Sequence, residues 1–152
     1  MKVSQNLINL LKSFEGCVLH SYLDVADVPT IGWGSTMYKN QAHVQMGETI
    51  TQEEADDLLL WEISEKTSRV NSLIRVAINQ NQYDAIVDFA YNVGTGGLQS
   101  STLLKKVNAN PSDPTIRDEF MKWSKAHVNG KLVVVEGLRK RRKKEADLYF
   151  TV

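Results

Sequence analysis

Two acidic residues and a threonine near the amino terminus have the types and spacing that hydrolysis of a glycosidic bond requires. Glu15 follows an apolar helical segment, Asp24 comes nine residues later, and Thr30 comes six residues after that. Such hydrolysis needs one group that protonates the leaving oxygen and a second carboxylate that activates water or attacks the sugar carbon. Glu15 is predicted to be the proton donor, Asp24 the carboxylate, and Thr30 a hydroxyl that positions water.

The surroundings of the two acids predict different protonation states. Glu15 is expected in the last turn of a helix, where the negative end of the helix dipole and partial burial beside Phe14 disfavour a negative charge. Asp24 lies in a polar segment with Asp27 and is expected to stay ionised. Spacing alone leaves a structural role open for both acids, because a glutamate before a helix-ending glycine and an aspartate in a turn are common.

Local sequence patterns predict the elements that would position these residues. Ser4 is a candidate cap for a first helix, which carries apolar residues at helical spacing and ends at Gly16. Residues 17–47 are rich in β-branched and aromatic residues separated by glycine and proline, which predicts a small antiparallel sheet. The T-x-x-E sequence from Thr51 to Glu54 predicts the capped start of a long helix.

Composition bounds the class of protein. The chain has 152 residues, of which 42% are hydrophobic and 24% charged, so it can bury its own core and is expected to be one domain and a monomer. The formal net charge of zero argues against a nucleic-acid partner. No apolar run reaches the roughly 18 residues of a membrane span, and no signal peptide is recognisable. Synthesis and folding in a cytoplasm are therefore expected.

A longer pattern surrounds the three candidate residues. It reads E-G-x5-Y-x-D-x5-T-I-G-x-G and runs from Glu15 to Gly34. This pattern resembles the signature of the phage-type lysozymes, or endolysins, of glycoside hydrolase family 24. Residues 89–94, 101–106 and 137–145 are similar to later segments of the same family and follow in the same order.

The resemblance implies a fold and a reaction. The implied fold is α+β and lysozyme-like: a small antiparallel sheet lobe (about 16–60) faces a larger helical lobe (1–15 with about 61–152) across a cleft for the glycan. The implied reaction is hydrolysis of the β-1,4 bond between N-acetylmuramic acid and N-acetylglucosamine in bacterial peptidoglycan, which lyses the host cell. Glu15 would be the general acid, Asp24 and Thr30 would hold the attacking water, and the anomeric carbon would be inverted.

The resemblance also suggests residues that assist the reaction. Tyr22, Gly34 and Ser35 are candidates for substrate binding. Ser35 stands where many members carry histidine, and its presence predicts weaker local electrostatic support rather than lost chemistry. Arg141 and Arg142 are candidates for supporting Glu15, since Glu145 one helical turn away is a partner that would turn one of them inward.

Delivery to the wall is implied by the resemblance as well. The protein would stay in the host bacterial cytoplasm, without stable membrane insertion, until a separate phage holin releases it. The basic run at residues 139–144 has three interpretations. It is a solvated helix face with charge favourable near a helix C-terminus, a surface attracted to the anionic wall or outer membrane, or a nucleic-acid contact.

The residue types in the sequence allow two other functions. Cys17 with His20, His43 or His127 would suit a thiol-dependent wall-peptide hydrolase, although a free cysteine is more often a small buried hydrophobe. A non-catalytic wall- or nucleic-acid-binding module is the third hypothesis. The spacing of the single cysteine and three histidines does not match a zinc site, and neither a metal nor a cofactor is expected.

Overall fold

The computed structural model describes residues 1–152 and contains seven helices and two small antiparallel sheets. In chain order the elements are α1 (Gln5–Glu15), β1 (Val18–Leu23), β2 (Pro29–Gly32), α2 (Gln52–Leu73), α3 (Gln80–Val93), α4 (Thr95–Ser100), α5 (Thr102–Ala109), α6 (Ile116–Met121), β3 (Lys125–Val128), β4 (Lys131–Val134) and α7 (Glu136–Tyr149). The predicted α+β class is confirmed. The chain divides into two compact units, Ile8–Glu65 and Met1–Leu7 with Lys66–Val152. The lobe limits near residues 16 and 60 stay a prediction.

The unit Ile8–Glu65 is built around the β1–β2 hairpin. The two strands pair antiparallel, with Tyr22 opposite Thr30 and Leu23 opposite Pro29. Beyond β2 the chain forms turns and isolated bridges, one of them between Ile31 and Ser35. The predicted sheet over 17–47 is thus limited to two short strands, because closely spaced turn residues interrupt the pairing after Gly32.

Helix ends in this part of the chain follow their local signals. Gly16 follows α1 with φ +58°, a left-handed conformation that glycine adopts without steric penalty. At the start of α2, the Glu54 amide donates to the Thr51 hydroxyl and the Thr51 amide donates to the Glu54 carboxylate, both at 3.1 Å. The predicted capping box is confirmed. It fixes the direction in which the 22-residue α2 leaves the hairpin region.

The unit Met1–Leu7 with Lys66–Val152 has an aromatic core around α3, α6 and α7. The Phe89 ring meets the Phe120 ring at 5.7 Å and the Trp123 ring at 5.4 Å between centroids, both edge to face. An Asn79–Gln82 capping box starts α3. None of the chain's helices combines the length and apolar character that crossing a membrane would need.

A second hairpin, β3–β4, precedes α7. The sequence predicts a turn at Gly130 and a strand or loop at residues 132–135, and the structure pairs β4 with β3 in continuous register from Lys125–Val134 to Val128–Lys131. The Asn129-Gly130 pair has positive φ at both residues, the requirement of the tight hairpin turn. The asparagine–glycine signal could have predicted the hairpin.

Candidate active site

The end of α1 and the β1–β2 hairpin carry the predicted catalytic residues. Glu15 is the last residue of α1 and is half-buried. Asp24 directly follows β1, and Thr30 lies within β2 with 4% of its surface exposed. All three residues belong to the unit Ile8–Glu65. Their backbone positions are set by a helix stop and a two-stranded pairing rather than by long loops.

Tyr22 and Gly34 connect the acid on α1 with the hairpin. Because Tyr22 and Thr30 are opposite in register, their side chains lie on one face. Burial raises the pKa of the Tyr22 hydroxyl, and the charges of Asp24 and Glu15 raise it further. A Cβ atom placed on Gly34 would lie only 3.1 Å from Glu15 Oε2. The structure therefore groups the two acids with Tyr22, Thr30 and Gly34.

The Asp24 carboxylate is oriented by its own loop. Its Oδ1 accepts hydrogen bonds from the Ala26 amide at 2.8 Å and the Val28 amide at 3.0 Å. The Asp24 amide donates to the Val28 carbonyl at 3.1 Å, which closes the turn. No hydrogen bond reaches Oδ2 within the protein, so this oxygen can accept one from water.

The Thr30 hydroxyl has a defined donor direction. It donates to the Val28 carbonyl oxygen at 2.8 Å. Since a hydroxyl has one hydrogen and two acceptor lone pairs, the Thr30 oxygen remains able to accept a hydrogen bond. Asp24 and Thr30 thus both offer acceptors, and both are anchored to Val28.

Ser35 is buried in the turn after β2. Only 1% of its surface is exposed, and its backbone exchanges hydrogen bonds with Ile31 at 2.8 and 2.9 Å. Its hydroxyl oxygen has no hydrogen-bond partner. Direct contact between this hydroxyl and a ligand would require Ser35 to become exposed, and its predicted role in substrate binding stays a prediction.

Ser35→Ala tests how much the buried hydroxyl without a hydrogen bond costs the folded state. We expect the free energy of unfolding to stay unchanged or to rise by up to about 1 kcal/mol, because an unsatisfied buried hydroxyl is removed. Urea unfolding measures the change. The matched control is Ser101→Ala: this buried hydroxyl caps α5 by accepting from the Leu104 amide at 3.0 Å, and its loss should cost about 1 kcal/mol. Equal losses in both variants would contradict the expectation.

A cluster beside β2 was missed by sequence reasoning. Trp33 Nε1 donates to Asp56 Oδ1 at 2.7 Å, and Lys12 Nζ lies 3.4 Å from the same oxygen and 5.2 Å from the centre of the Trp33 ring. The Trp33 hydrogen bond, with smaller contributions from Gln52 and Lys12, lowers the pKa of Asp56 despite partial desolvation. The capping box could have placed Asp56 in the second turn of α2, but its contact with Trp33 depends on packing. The indole is held at one edge, consistent with a packing role.

The alternative nucleophile lacks a base. Cys17 is half-buried, and its sulfur lies 3.7 Å from the Gln52 amide nitrogen. No histidine hydrogen-bonds to it, and no cluster of three or more histidine, cysteine or acidic side chains is placed to hold a metal ion. A thiol without a neighbouring base is weakly activated.

Most of the basic run at 139–144 lies beside acidic side chains. Glu136 lies beside Arg139, Asp88 beside Arg141, Glu145 beside Arg142 and Asp147 beside Lys143. Arg141 and Arg142 are 5% and 0% exposed. The interpretation as a solvated face is therefore wrong for these two residues. The interpretation as charge near a helix C-terminus is wrong for the run, which lies inside α7.

The chain is similar to known proteins over nearly its whole length. The phage lysozyme family profile matches residues 12–145. An endolysin of Acyrthosiphon pisum secondary endosymbiont phage 1 is 41% identical over 149 residues, which is 98% of each chain. The solved endolysin from Escherichia coli O157:H7 phage FAHEc1 has a TM-score of 0.92 at 37% identity, covering 99% of this chain and 94% of that one.

A second solved structure is similar over its whole length. The muramidase domain of SpmX from Asticaccaulis excentricus has a TM-score of 0.86 at 30% identity, covering 99% of both chains. The predicted lysozyme-like fold is confirmed by these matches. The chain therefore belongs to the phage lysozyme family, a family of glycoside hydrolases.

Proposed function

We propose that this chain is an endolysin muramidase that hydrolyses the β-1,4 bond between N-acetylmuramic acid and N-acetylglucosamine in bacterial peptidoglycan. The observation that carries the proposal is the grouping of Glu15 with Tyr22, Asp24 and Thr30 in a chain of the phage lysozyme family. The muramidase domain of SpmX is similar over its full length and supports the reaction class. Hydrolysis of the wall would lyse the host cell.

The proposed chemistry divides between a donor and two acceptors. Glu15 gives its proton to the leaving glycosidic oxygen. Asp24 Oδ2 and the Thr30 hydroxyl oxygen each accept a hydrogen bond from one water, whose lone pair then points at the anomeric carbon. As the water oxygen bonds to that carbon and the bond to the leaving oxygen breaks, Asp24 takes up the proton that the water loses. Attack by a held water, rather than by the carboxylate, inverts the anomeric centre. Arg141 and Arg142 stay candidates for stabilising the carboxylate left after proton transfer.

Product analysis of a peptidoglycan digest tests the proposal. A muramidase releases fragments with new reducing ends, and proton NMR of early product shows which anomer forms first. New free amino groups would instead indicate a Cys17-dependent peptide hydrolase, and an anhydro sugar would indicate lytic cleavage. Absence of fragments would leave a binding module. Each of these three outcomes contradicts the proposal.

Gly34→Ala is expected to lower kcat/KM by about tenfold, because its Cβ would displace the Glu15 carboxylate by a few tenths of an ångström. The φ of +91° adds a stability loss of about 1 kcal/mol. Gly47→Ala is the matched control, since Gly47 has φ +89° and no atom within 4 Å of a Cβ. Urea unfolding should show similar stability losses in the two variants. Reducing-end release should show a loss of activity only in Gly34→Ala. Equal activities would argue against the close approach to Glu15.

The proposed route to the wall depends on another protein. The chain is proposed to act as a monomer that remains in the host cytoplasm until a separate holin opens the membrane. Expression with and without a holin tests this, with lysis expected only when both are present. Export of the chain without any partner would contradict the route.

A further inference from the structure

Four charged side chains are buried together between α3 and α7, in the unit Met1–Leu7 with Lys66–Val152. Asp88 comes from α3, and Arg141, Arg142 and Glu145 come from α7, with exposures of 0%, 5%, 0% and 0%. Removing charges from water is unfavourable unless each is paired and hydrogen-bonded. The state of each group can therefore be inferred from its partners.

Asp88 has the partners of an ionised carboxylate. Its Oδ2 accepts from Arg141 Nε and its Oδ1 from Arg141 Nη2, both at 3.0 Å. Two parallel bonds of this kind are the strong geometry of a guanidinium with a carboxylate. The negative charge of Asp88 is thus directly stabilised.

Glu145 has a different environment. Neither of its oxygens accepts a directed hydrogen bond, although it is fully buried. Arg142 Nε lies 3.0 Å from Oε1 and Arg141 Nε lies 3.8 Å from Oε2, close enough for charge attraction, but neither arginine makes a hydrogen bond to Glu145. Arg142 instead donates to Asn92 Oδ1 at 2.5 Å and lies 5.2 Å from the centre of the Phe89 ring. An ionised carboxylate would lack the donors that burial demands.

The two acids are also in contact with each other. The Glu145 side chain comes within hydrogen-bonding distance of that of Asp88. Two carboxyl groups can share a hydrogen bond only when one of them carries a proton. Since Asp88 is the acid with directed donors, the proton belongs on Glu145.

We propose that Asp88 and Glu145 hold one proton between them, carried by Glu145, so that the four groups contribute two positive charges and one negative charge. Burial, then the hydrogen bond and charge of Asp88, raise the pKa of Glu145 well above its usual range against the opposing effect of both arginines. The cluster is a pH-sensitive element built into the α3–α7 packing.

The charged groups that act on Glu145 come from α3 and from α7 itself. The ionisable groups acting on Glu145 are Asp88 from α3 and Arg141 and Arg142 from α7 itself. Helix α6 also packs against α7, but two of its charged side chains are engaged elsewhere and the third, Asp118, is exposed. Arg117 pairs with Asp147, and Glu119 pairs with two lysines, Lys106 and Lys122.

The shared proton makes stability depend on pH with a definite sign. A carboxyl group whose pKa is raised in the folded state stabilises that state fully below its unfolded pKa, and this stabilisation is lost as pH rises towards the folded pKa. The ordinary glutamate value is 4.5, so the loss begins near there. Between the unfolded and folded pKa values of Glu145, each rise of one pH unit raises the unfolding constant by about tenfold, because unfolding releases one proton.

Urea unfolding of the intact chain and of Glu145→Gln, from about pH 5 to 8, tests the proposal. Glutamine keeps a neutral donor towards Asp88 at every pH. The ratio of the wild-type unfolding constant to that of the variant is expected to rise by about tenfold per pH unit until Glu145 ionises. A flat ratio, or one that falls with pH, would overturn the proposal.

Glu119→Gln is the matched control. Glu119 is also buried, but hydrogen bonds from Lys106 and Lys122 hold its pKa below the usual value despite desolvation. The stabilisation that the Glu119 carboxylate provides is lost only at acid pH. The ratio of the wild-type unfolding constant to that of Glu119→Gln should therefore stay flat from about pH 5 to 8. The same rise in both ratios would overturn the proposal. If Glu145→Gln does not fold, carbon-13 NMR of the wild-type carboxyl groups is the test. A chemical shift showing that Glu145 is ionised near pH 6 would overturn the proposal.

Discussion

Replacing Glu15 with glutamine is expected to lower kcat for peptidoglycan hydrolysis by about 10²- to 10⁴-fold, the usual contribution of a positioned general acid. Glutamine has the same shape but cannot give a proton to the leaving oxygen. Glu15 is half-buried at the last position of α1, where an uncharged amide is compatible with the helix end. Release of reducing ends measures the rate, and circular dichroism with urea unfolding checks that the fold is retained.

Glu53→Gln serves as the control for this substitution. Glu53 is an exposed acid in the first turn of α2, in the same unit as Glu15. Its replacement makes the same change of charge away from the grouped residues and should leave the rate within about twofold. Retention of activity by Glu15→Gln would remove Glu15 as the acid.

Asp88→Asn is expected to lower the free energy of unfolding by about 3–5 kcal/mol, the cost of breaking a buried ion pair from one side. The asparagine cannot match both donors of Arg141, a buried residue whose charge then loses a buried carboxylate. For a chain of this size the midpoint of thermal unfolding should fall by about 10 °C. Urea and thermal unfolding measure the two quantities.

Asp147→Asn is the corresponding exposed substitution. Asp147 pairs with Arg117 at 2.7 Å and with Lys143 at 2.9 Å, but its side chain is 47% exposed. Exposed ion pairs contribute about 0–1 kcal/mol each, so the loss should be several-fold smaller than for Asp88. Similar losses in the two variants would show that burial of the Asp88 pair is not what makes it important.

Features that depend on a few neighbouring residues were predictable from the sequence. Ser4 accepts a hydrogen bond from the Leu7 amide at 3.2 Å, Gly16 ends α1, and the Thr51–Glu54 box starts α2, all as predicted. Each signal lies within one helical turn of the structure that it specifies. The same holds for Arg142 and Glu145, which meet at three residues' separation.

Features that depend on packing were not predictable in the same way. Asp84 and Asp88 interrupt the buried stripe of α3, which indicates that each needs a polar partner. Nothing local identifies that partner: Asp84 binds Ser4, 80 residues away, and Asp88 binds Arg141, 53 residues away. The close approach of Gly34 to Glu15 is similar, because Gly34 lies in the turn after β2 and no neighbouring residue indicates which side chain approaches it.

The ion-paired basic run also has a consequence for proteolysis. Six consecutive lysine and arginine residues are a dense target for trypsin-like proteases, which bind their substrates as extended chains. Here the run is helical from 139 to 144, and two of its six side chains point into the core. Cleavage at these bonds therefore requires α7 to unfold locally. A sequence that looks most vulnerable to proteases would instead be cut at a rate set by how often α7 opens.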